Sequence, residues 1–230
     1  MTEESRIDPL SDAKVVDSWD HNADAWTRAV RENRIENRSL VTNQAILDAV
    51  ESRSPGTILD IGCGEGWLVR ALAAKGVKGI GVDAIPALIE QATRVGGGDF
   101  RVMSYEEIAA GALEVRVDVA VANFSLIGEE SVAKLISRVR QFLTPTGSLV
   151  IQTLHPVTAN GDEPYEDGWR RGSWAGFSSD FTDPAPWYFR TMQSWLDLLK
   201  KSGFSAVETR EPVHPVTKKP ASVIFIADFA

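Results

Sequence analysis

The segment Ile58-Leu59-Asp60-Ile61-Gly62-Cys63-Gly64-Glu65-Gly66-Trp67 decides the fold of this chain. A short apolar run leads directly into three glycines at alternate positions, and a helical pattern follows them. The run predicts a buried strand, so the glycines stand at the turn between that strand and a helix. Glycines at such a turn let a ligand approach the backbone and leave the amides of the helix N-terminus free to bind it.

Strand and helix patterns alternate on both sides of this segment. Helical patterns run from Trp67 to Lys75, from Pro86 to Arg94, and to Phe142 from an expected N-cap at Ser131. Continuous apolar strands that alternate with helices predict a parallel sheet covered by helices on both faces. The predicted strands are Thr57–Ile61, Gly79–Val82, Phe100–Met103, Val117–Ala122, Ser148–Leu154, Val207–Arg210 and Ser222–Phe229.

Residues 1–50 precede this alternation and are helical in pattern after a polar leader over residues 1–14. The leader is acidic, which is not typical of a signal peptide. Two helices are expected from Val15 to about Val50, and one face carries Trp19, Ala23 and Trp26. A second stripe consists of Arg28, Arg31, Arg34 and Arg38. It predicts either a solvated face or a surface that attracts an anionic substrate.

Aromatic residues concentrate in an insertion at about 156–187, which interrupts the predicted core of residues 51–230. A loop of about 30 residues inside a compact domain is usually functional or mobile. The insertion either walls a pocket or forms a local core that keeps the loop ordered. A helix is expected after it, from Trp187 to Ser202. Four of the seven tryptophans lie in this part of the chain, namely Trp169, Trp174, Trp187 and Trp195.

Composition excludes several classes of protein. With 24 Lys and Arg against 32 Asp and Glu, the net charge of −8 argues against non-specific binding of nucleic acid or of an anionic membrane. A single cysteine cannot form an internal disulfide or a zinc cluster, so no bound metal is expected. It also predicts a reducing, cytoplasmic location. No apolar run approaches the roughly 20 residues that cross a bilayer. The composition leaves the oligomeric state open.

Asp83 ends the strand that follows the glycine turn, 21 residues after Gly62. A carboxylate there accepts hydrogen bonds from both hydroxyls of a ribose in dinucleotide-binding folds. The dinucleotide fingerprint, however, spaces its glycines G-x-G-x-x-G, whereas this chain has G-x-G-x-G with Asp60 two residues ahead. This arrangement resembles motif I of the class I S-adenosylmethionine-dependent methyltransferases. The resemblance extends over about Ile46–Phe229 and includes the Pro145-x-Gly147 turn.

The resemblance implies a Rossmann-like, doubly wound α/β sheet, mostly parallel, with a C-terminal antiparallel hairpin. It also implies S-adenosylmethionine as cofactor, with S-adenosylhomocysteine as product. Asp60 and the backbone of Gly62, Cys63, Gly64 and Gly66 would then hold the methionyl end. Asp83 would bind the ribose, and the remaining contacts would come from Ala84, Ile85, Ser104, Tyr105, Asn123 and Phe124, under a lid that carries Trp19 and Trp26.

Each of these residues has a structural alternative. Asp60 is otherwise a helix cap or a carboxylate satisfied by backbone amides, and Asp83 a surface carboxylate. Cys63 is otherwise only a small residue in a tight turn. Trp19 and Trp26 are otherwise packing residues of a helix, and Asn123 only terminates a strand.

We expect methyl transfer by in-line displacement to oxygen, nitrogen or carbon of a small soluble acceptor. Strand four ends in Asn123-Phe124-Ser125-Leu126 and lacks the Asn/Asp-Pro-Pro-aromatic motif of enzymes that methylate nucleobase amines. The alternatives are an RNA or protein methyltransferase, a non-catalytic cofactor-binding module and, with less support, a nicotinamide-dependent reductase.

The acceptor site is predicted from residues beyond the cofactor motifs. His155 is the candidate general base because imidazole titrates near neutrality; otherwise it is a strand-end histidine satisfied by backbone. Arg190 is otherwise part of a salt bridge to Asp180 or Asp183. The predicted substrate contacts are His21, Ser125, Trp169, Tyr188 and Arg190.

Overall fold

The computed structural model describes residues 7–229 of the 230-residue chain. The first six residues of the predicted leader lie outside the described part. The rest of that prediction was too long, because helix α1 (Asp12–Arg31) already begins inside it. Ser11 is the N-cap, and its side chain accepts a hydrogen bond from the Lys14 amide at 3.2 Å.

The predicted strands and helices occur in the predicted order, and four unpredicted elements are added, over Tyr105–Ala109, Pro156–Ala159, Gly168–Arg170 and Trp187–Phe189. After a π-helical turn at Arg38–Thr42, the other helices are α2 (Asn43–Glu51), α3 (Trp67–Ala73), α4 (Pro86–Val95), α5 (Tyr105–Ala109), α6 (Glu130–Arg138), α7 (Pro156–Ala159) and α8 (Met192–Lys201). The strands are β1 (Thr57–Ile61), β2 (Lys78–Asp83), β3 (Asp99–Val102), β4 (Val117–Asn123), β5 (Leu143–Thr153), β6 (Gly168–Arg170), β7 (Trp187–Phe189), β8 (Ala206–Arg210) and β9 (Val223–Asp228).

Seven strands form one twisted sheet in the order β3-β2-β1-β4-β5-β9-β8. Strands β1 to β5 pair in parallel, whereas β9 is antiparallel to both β5 and β8. The predicted Rossmann-like sheet with a C-terminal antiparallel hairpin is therefore confirmed. The strand order reverses between β1 and β4, and in such sheets the ligand crevice opens at the carboxyl ends of the strands at this point.

Apolar side chains cover both faces of the sheet. Leu68 and Leu72 of α3 pack on one face with Ile46 of α2, and all three are fully buried. Leu135 of α6 and Leu199 of α8 pack on the other face. Because burial on two faces needs apolar residues at every strand position, the continuous apolar strands of the sequence follow directly from this layering.

Strand β5 begins at Leu143 rather than at Ser148, and two predicted helix starts were also wrong. Ser131 lies inside α6 rather than at its N-cap, which is Glu129; the Asp12 carboxylate instead accepts hydrogen bonds from the amides of Glu129 and Ser131, at 2.7 and 3.0 Å. The helix expected from Trp187 begins only at Met192 with Thr191 as its N-cap. Residues Trp187–Phe189 instead pair antiparallel with Gly168–Arg170, so the insertion contains a small hairpin.

The last part of the insertion packs on α1. The side chain of Asn22 donates to the carbonyl of Thr182 at 2.7 Å and accepts from its amide at 2.9 Å. Phe181 is buried against Ala25 and Ala29, and the Trp174 ring lies edge-on to Trp19. The local-core interpretation therefore describes residues 174–182, which hold α1 in place. No helix in the described range 7–229 is long and apolar enough to cross a membrane.

Candidate functional site

A cleft opens at the carboxyl ends of β1, β2 and β4, and α1 lies across it. Its empty space, counted out to the solvent at its mouth, is about 930 Å³. The lining residues are Asp12, Val15, Val16, Trp19, Trp26, Arg38, Gly62, Cys63, Gly64, Trp67, Asp83, Ala84, Ile85, Leu88, Ser104, Tyr105, Glu106, Asn123, Phe124, Ser125, Ile127, Gly128 and Ser131.

The glycine turn forms the floor of this cleft. All three glycines have positive φ, between 56° and 80°, which other residues adopt only with strain. A Cβ atom on Gly62 would lie 2.8 Å from Ser125 Oγ and 2.9 Å from the Tyr105 hydroxyl. At Gly64 the nearest atom would be Trp26 Nε1 at 3.5 Å, so α1 lies directly above this position.

Asp83 is held rigidly at the end of β2. Its Oδ2 accepts a hydrogen bond from the Gly64 amide at 2.8 Å, and its Oδ1 accepts one from the Ile85 amide at 3.0 Å. Burial raises the pKa of this carboxyl, and the backbone amides oppose the rise. Each carboxylate oxygen keeps a second lone pair for a ligand hydroxyl. Asp83 is therefore not a surface carboxylate but a fixed acceptor in the wall of the cleft.

Asp60 lies beneath the glycine turn and does not line the cleft surface. It does not cap α3, whose N-cap is Gly66, and its Oδ1 is buried without a hydrogen-bond partner. Burial raises the pKa of Asp60 to about 8, the neighbouring Asp83 adds to the rise and Arg38 opposes it. A carboxyl group in this environment holds a proton at neutral pH.

This raised pKa predicts how stability depends on pH. The unfolded chain releases the Asp60 proton near its ordinary pKa of 3.8, whereas the folded chain keeps it up to about 8, so the free energy of unfolding falls as the pH rises between these values. Asp60→Asn mimics the protonated form. In urea unfolding we expect the free energy of unfolding of the variant, relative to that of the wild type, to rise steadily from about pH 5 to about pH 8. A difference that stays constant with pH would contradict the prediction.

Arg38 is a site residue that sequence reasoning did not single out. Its guanidinium lies over the rings of Trp67 and Trp26, at 5.0 and 5.4 Å from their centroids. Its Nη2 is buried and has no hydrogen-bond partner in the described part of the chain. Burial lowers the pKa of Arg38 to about 10, which leaves it charged. A buried cation with a free donor at a cleft is typical of a site for an anionic ligand group.

The other arginines of the predicted stripe are paired with acidic side chains. Arg28 contacts Asp180, Arg34 contacts Glu32, and Arg31 donates to Glu65 at 2.9 Å. The first three members of the stripe form ion pairs and the last lines the cleft, so attraction of an anionic substrate stays a prediction. The i, i+3, i+4 spacing marked the stripe, but it did not distinguish Arg38 from the others.

Most of the predicted cofactor residues meet in the cleft. Trp19 and Trp26 line the cleft, as a lid would require. Their rings also pack edge-to-face with centroids 5.0 Å apart, as helix packing residues would. The Cys63 thiol also lines it, and burial raises its pKa, which makes it a small packing group rather than a nucleophile. Ser104 lines the cleft as the N-cap of α5, where its hydroxyl accepts from the Glu107 amide.

The end of β4 forms the wall opposite Asp83. Ser125 Oγ donates to the Ile61 carbonyl at 2.6 Å, and the Tyr105 hydroxyl donates to the Ser125 carbonyl at 3.1 Å. Phe124 has φ of 55°, an uncommon conformation for a residue other than glycine. Asn123 Oδ1 is buried without a hydrogen-bond partner. Strained and unsatisfied groups together are typical of a functional site.

Three predicted acceptor contacts lie outside the lining. Arg190 donates to the carbonyls of Gly128 and Glu129 at 2.8 Å each, and the ring of Tyr188 lies 4.7 Å from its guanidinium. It forms no salt bridge to Asp180 or Asp183 and instead holds the backbone that enters α6. Trp169 donates from Nε1 to the Glu129 carboxylate at 2.9 Å, so it contacts the N-cap residue of α6.

The histidines also lie outside the lining. His155 is buried after β5, and its Nε2 is 3.5 Å from a Glu211 carboxylate oxygen. Neither ring nitrogen has a hydrogen-bond partner, so this histidine is not satisfied by backbone as the alternative held. His21 is exposed on α1, with Nδ1 2.7 Å from the Asp17 carbonyl.

Two solved structures have the same fold. An S-adenosylmethionine-dependent methyltransferase from Mesorhizobium loti has a TM-score of 0.61 at 23% identity, and the match covers 80% of this chain and 96% of that chain. The 1,6-didemethyltoxoflavin-N1-methyltransferase of Burkholderia thailandensis, solved with S-adenosylhomocysteine, has a TM-score of 0.67 at 19% identity and covers 100% of this chain and 93% of its own. At these identities the likeness concerns the fold alone.

Sequence relatives point to the same family. An uncharacterized methyltransferase of Mycobacterium tuberculosis is 31% identical over 120 residues, which are 51% of this chain and 60% of the relative. This chain therefore spans about 60% of the length of the curated relatives it matches first. The model of the methyltransferase domain matches residues 30–209, from the end of α1 to β8. The matched range includes the glycine turn and Asp83. This match confirms the resemblance: the chain belongs to the methyltransferase domain family.

Proposed function

We propose that this chain transfers the methyl group of S-adenosylmethionine to a small-molecule acceptor. The observation that carries the proposal is the convergence of three features on one cleft: the Gly62–Gly64 turn, the Asp83 carboxylate and the free guanidinium nitrogen of Arg38. A carboxylate for ribose hydroxyls and a cation for an amino-acid carboxylate match the two ends of this cofactor.

The residues present fit the cofactor. The unpartnered Nη2 of Arg38 would bind its carboxylate, and Asp83 would accept hydrogen bonds from its ribose. Ile85 and Leu88, both nearly fully buried, offer an apolar surface for the adenine. Ser104 is already used as a helix cap, so its hydroxyl has limited capacity to bind the base.

The chain itself supplies alignment and exclusion of water. S-adenosylmethionine carries a methyl group on a sulfonium and is therefore already activated for in-line displacement. Trp19 and Trp26 of α1 cover the cleft, and residues 174–182 hold α1 in that position. Because His155 lies outside the lining, alignment rather than general base catalysis has the better support. A role of His155 as base stays a prediction.

A small acceptor is favoured over a macromolecule. The net charge of −8 disfavours RNA, and α1 lies across the cleft with Trp19 and Trp26 in its lining. The Burkholderia protein of the same fold binds a small heterocycle, 1,6-didemethyltoxoflavin. The proposal includes residues 1–50 as the lid, residues 51–230 as the core, and a reducing cytoplasmic location in keeping with the single buried thiol of Cys63.

The proposal is tested with S-adenosylmethionine that carries a tritiated methyl group. The chain is incubated with it and with an extract of the source cells, divided into metabolites, RNA and protein. We expect label in the metabolite fraction, and none with Asp83→Ala. Label in RNA or protein would overturn the small-molecule acceptor, and absence of label from all fractions would favour a non-catalytic module.

The role of Arg38 predicts a selective loss of affinity. Arg38→Met keeps an unbranched apolar stem between Trp26 and Trp67 but removes the donors. We expect calorimetry to give about tenfold weaker binding of S-adenosylhomocysteine, which is the order of one charge-assisted hydrogen bond. Binding of 5′-methylthioadenosine, which lacks the amino-acid end, should stay unchanged. Arg34→Met, on the ion-paired part of the stripe, is the control; equal losses for both ligands would contradict the assignment.

A further inference from the structure

The cleft extends beyond the groups that would hold the cofactor. Arg38 and Gly64 lie by Trp26 at one end, and Asp83 accepts a hydrogen bond from the Gly64 amide there. Helix α1 continues along the cleft from Trp26 to Asp12, 14 residues, which is about 21 Å of helix. At the second end the start of α1 faces the start of α6, where Ile127 lies. This second end is open to an acceptor when the first end is filled.

The second end of the cleft is apolar and lacks cations. Its walls include Val15, Val16, Phe124 and Ile127. The charged groups of the lining at this end are carboxylates, Asp12 and Glu106; among the described residues, Arg38 is the one cation that lines the cleft, and it lies at the other end. An anionic acceptor would therefore lose its hydration without meeting a positive charge.

One polar atom of the cleft wall, at the end of β4, has no hydrogen-bond partner among residues 7–229. Asn123 ends β4, and its Oδ1 is buried in the cleft lining without a hydrogen bond. An unsatisfied buried carbonyl is costly, and native structures seldom keep one without a ligand or water to bind it. The left-handed conformation of Phe124, directly after it, fixes the backbone at this point with local strain.

We propose that Asn123 is a substrate-binding residue whose Oδ1 accepts a hydrogen bond from the N–H or O–H group that is methylated. The acceptor is then a largely apolar amine or alcohol without an anionic group. This inference rests on the proposed methyl transfer and adds the chemical class of the acceptor to it.

The methyl transfer balances when this N–H or O–H group is the acceptor. The lone pair of the acceptor nitrogen or oxygen forms the new bond to the methyl carbon while the carbon–sulfur bond breaks and its electron pair stays on sulfur. The products are the methylated acceptor and S-adenosylhomocysteine. The proton that hydrogen-bonds to Asn123 leaves to water afterwards, because a carboxamide oxygen orients this proton but does not retain it.

A charge-matched compound set tests the acceptor class. Each of about 20 apolar frames, such as indole, naphthalene and cyclohexane, is used as the ethylamine, the ethanol and the acetate. Binding is measured by thermal shift and calorimetry with the chain saturated with S-adenosylhomocysteine. We expect amines and alcohols to bind at least about tenfold tighter than acetates on the same frame. Acetates that bind as well, or no binding by any frame, would overturn the inference.

Two variants test Asn123 itself. Asn123→Leu should weaken the amine and alcohol ligands about tenfold more than it weakens S-adenosylhomocysteine. Asn123→Asp keeps the shape and adds a charge, so it should shift the amine-to-alcohol affinity ratio about tenfold towards the amine. Unchanged ligand binding in both variants would overturn the role of Asn123. Failure of the wild-type chain to bind S-adenosylhomocysteine would instead refute the proposed function.

Discussion

Replacement of Asp83 by alanine is expected to weaken the binding of S-adenosylhomocysteine by about 100-fold. The carboxylate would accept hydrogen bonds from the cofactor ribose, and it also holds the amides of Gly64 and Ile85 that shape the glycine turn. Hydrogen bonds to a charged group contribute about 1.5–3 kcal/mol, and two of them account for a loss of this size. The measurement is a calorimetric titration of the folded variant.

Asp118→Ala is the matched control for this prediction. Asp118 also accepts two backbone hydrogen bonds with its carboxylate, from Gly56 at 3.0 Å and Thr57 at 2.9 Å, but it lies at the amino end of the sheet. Its loss should lower stability and leave cofactor affinity unchanged. Wild-type affinity in Asp83→Ala, or an equal loss in Asp118→Ala, would remove Asp83 from the site.

Replacement of Gly62 by alanine is expected to lower the free energy of unfolding by about 3 kcal/mol. A left-handed conformation costs a residue with a side chain about 1–2 kcal/mol, and overpacking adds about 1–3 kcal/mol. Both apply here, because Gly62 has φ of 73° and its Cβ would press against Ser125 and the Tyr105 hydroxyl. Urea unfolding measures the loss.

Gly76→Ala separates these two costs. Gly76 has φ of 87°, but a Cβ there would meet nothing within 4 Å, so only the conformational cost applies. We expect it to lose about 1–2 kcal/mol. Equal losses for the two variants would mean that the contact between the glycine turn and Ser125 contributes nothing to stability.

The core of the fold was predictable because burial on two faces leaves a direct mark in the sequence. Continuous apolar strands, the glycine turn and Asp83 each occupy one short segment, and their spacing carries the information. The helix expected at Trp187 was wrong for a related reason. Its aromatic residues pack through pairing with Gly168–Arg170, a partner about 20 residues away that a local pattern does not reveal.

The parts of the site that were missed depend on contacts between distant residues. Arg38 looks like its neighbours in the stripe until Trp67 is placed beneath its guanidinium. Asp12 was counted as leader, yet it holds the N-terminus of α6, more than 100 residues away. Arg190 lies outside the cleft lining because its donors are used by the carbonyls of Gly128 and Glu129, which periodicity does not indicate.

The most direct test is a calorimetric titration of the unmodified chain with S-adenosylhomocysteine and, separately, with NADH. Binding of one S-adenosylhomocysteine per chain with a dissociation constant in the micromolar range is expected, with no heat from NADH. An absence of binding at high micromolar S-adenosylhomocysteine, or stoichiometric binding of NADH, would contradict the assignment of this cleft to the methyl donor.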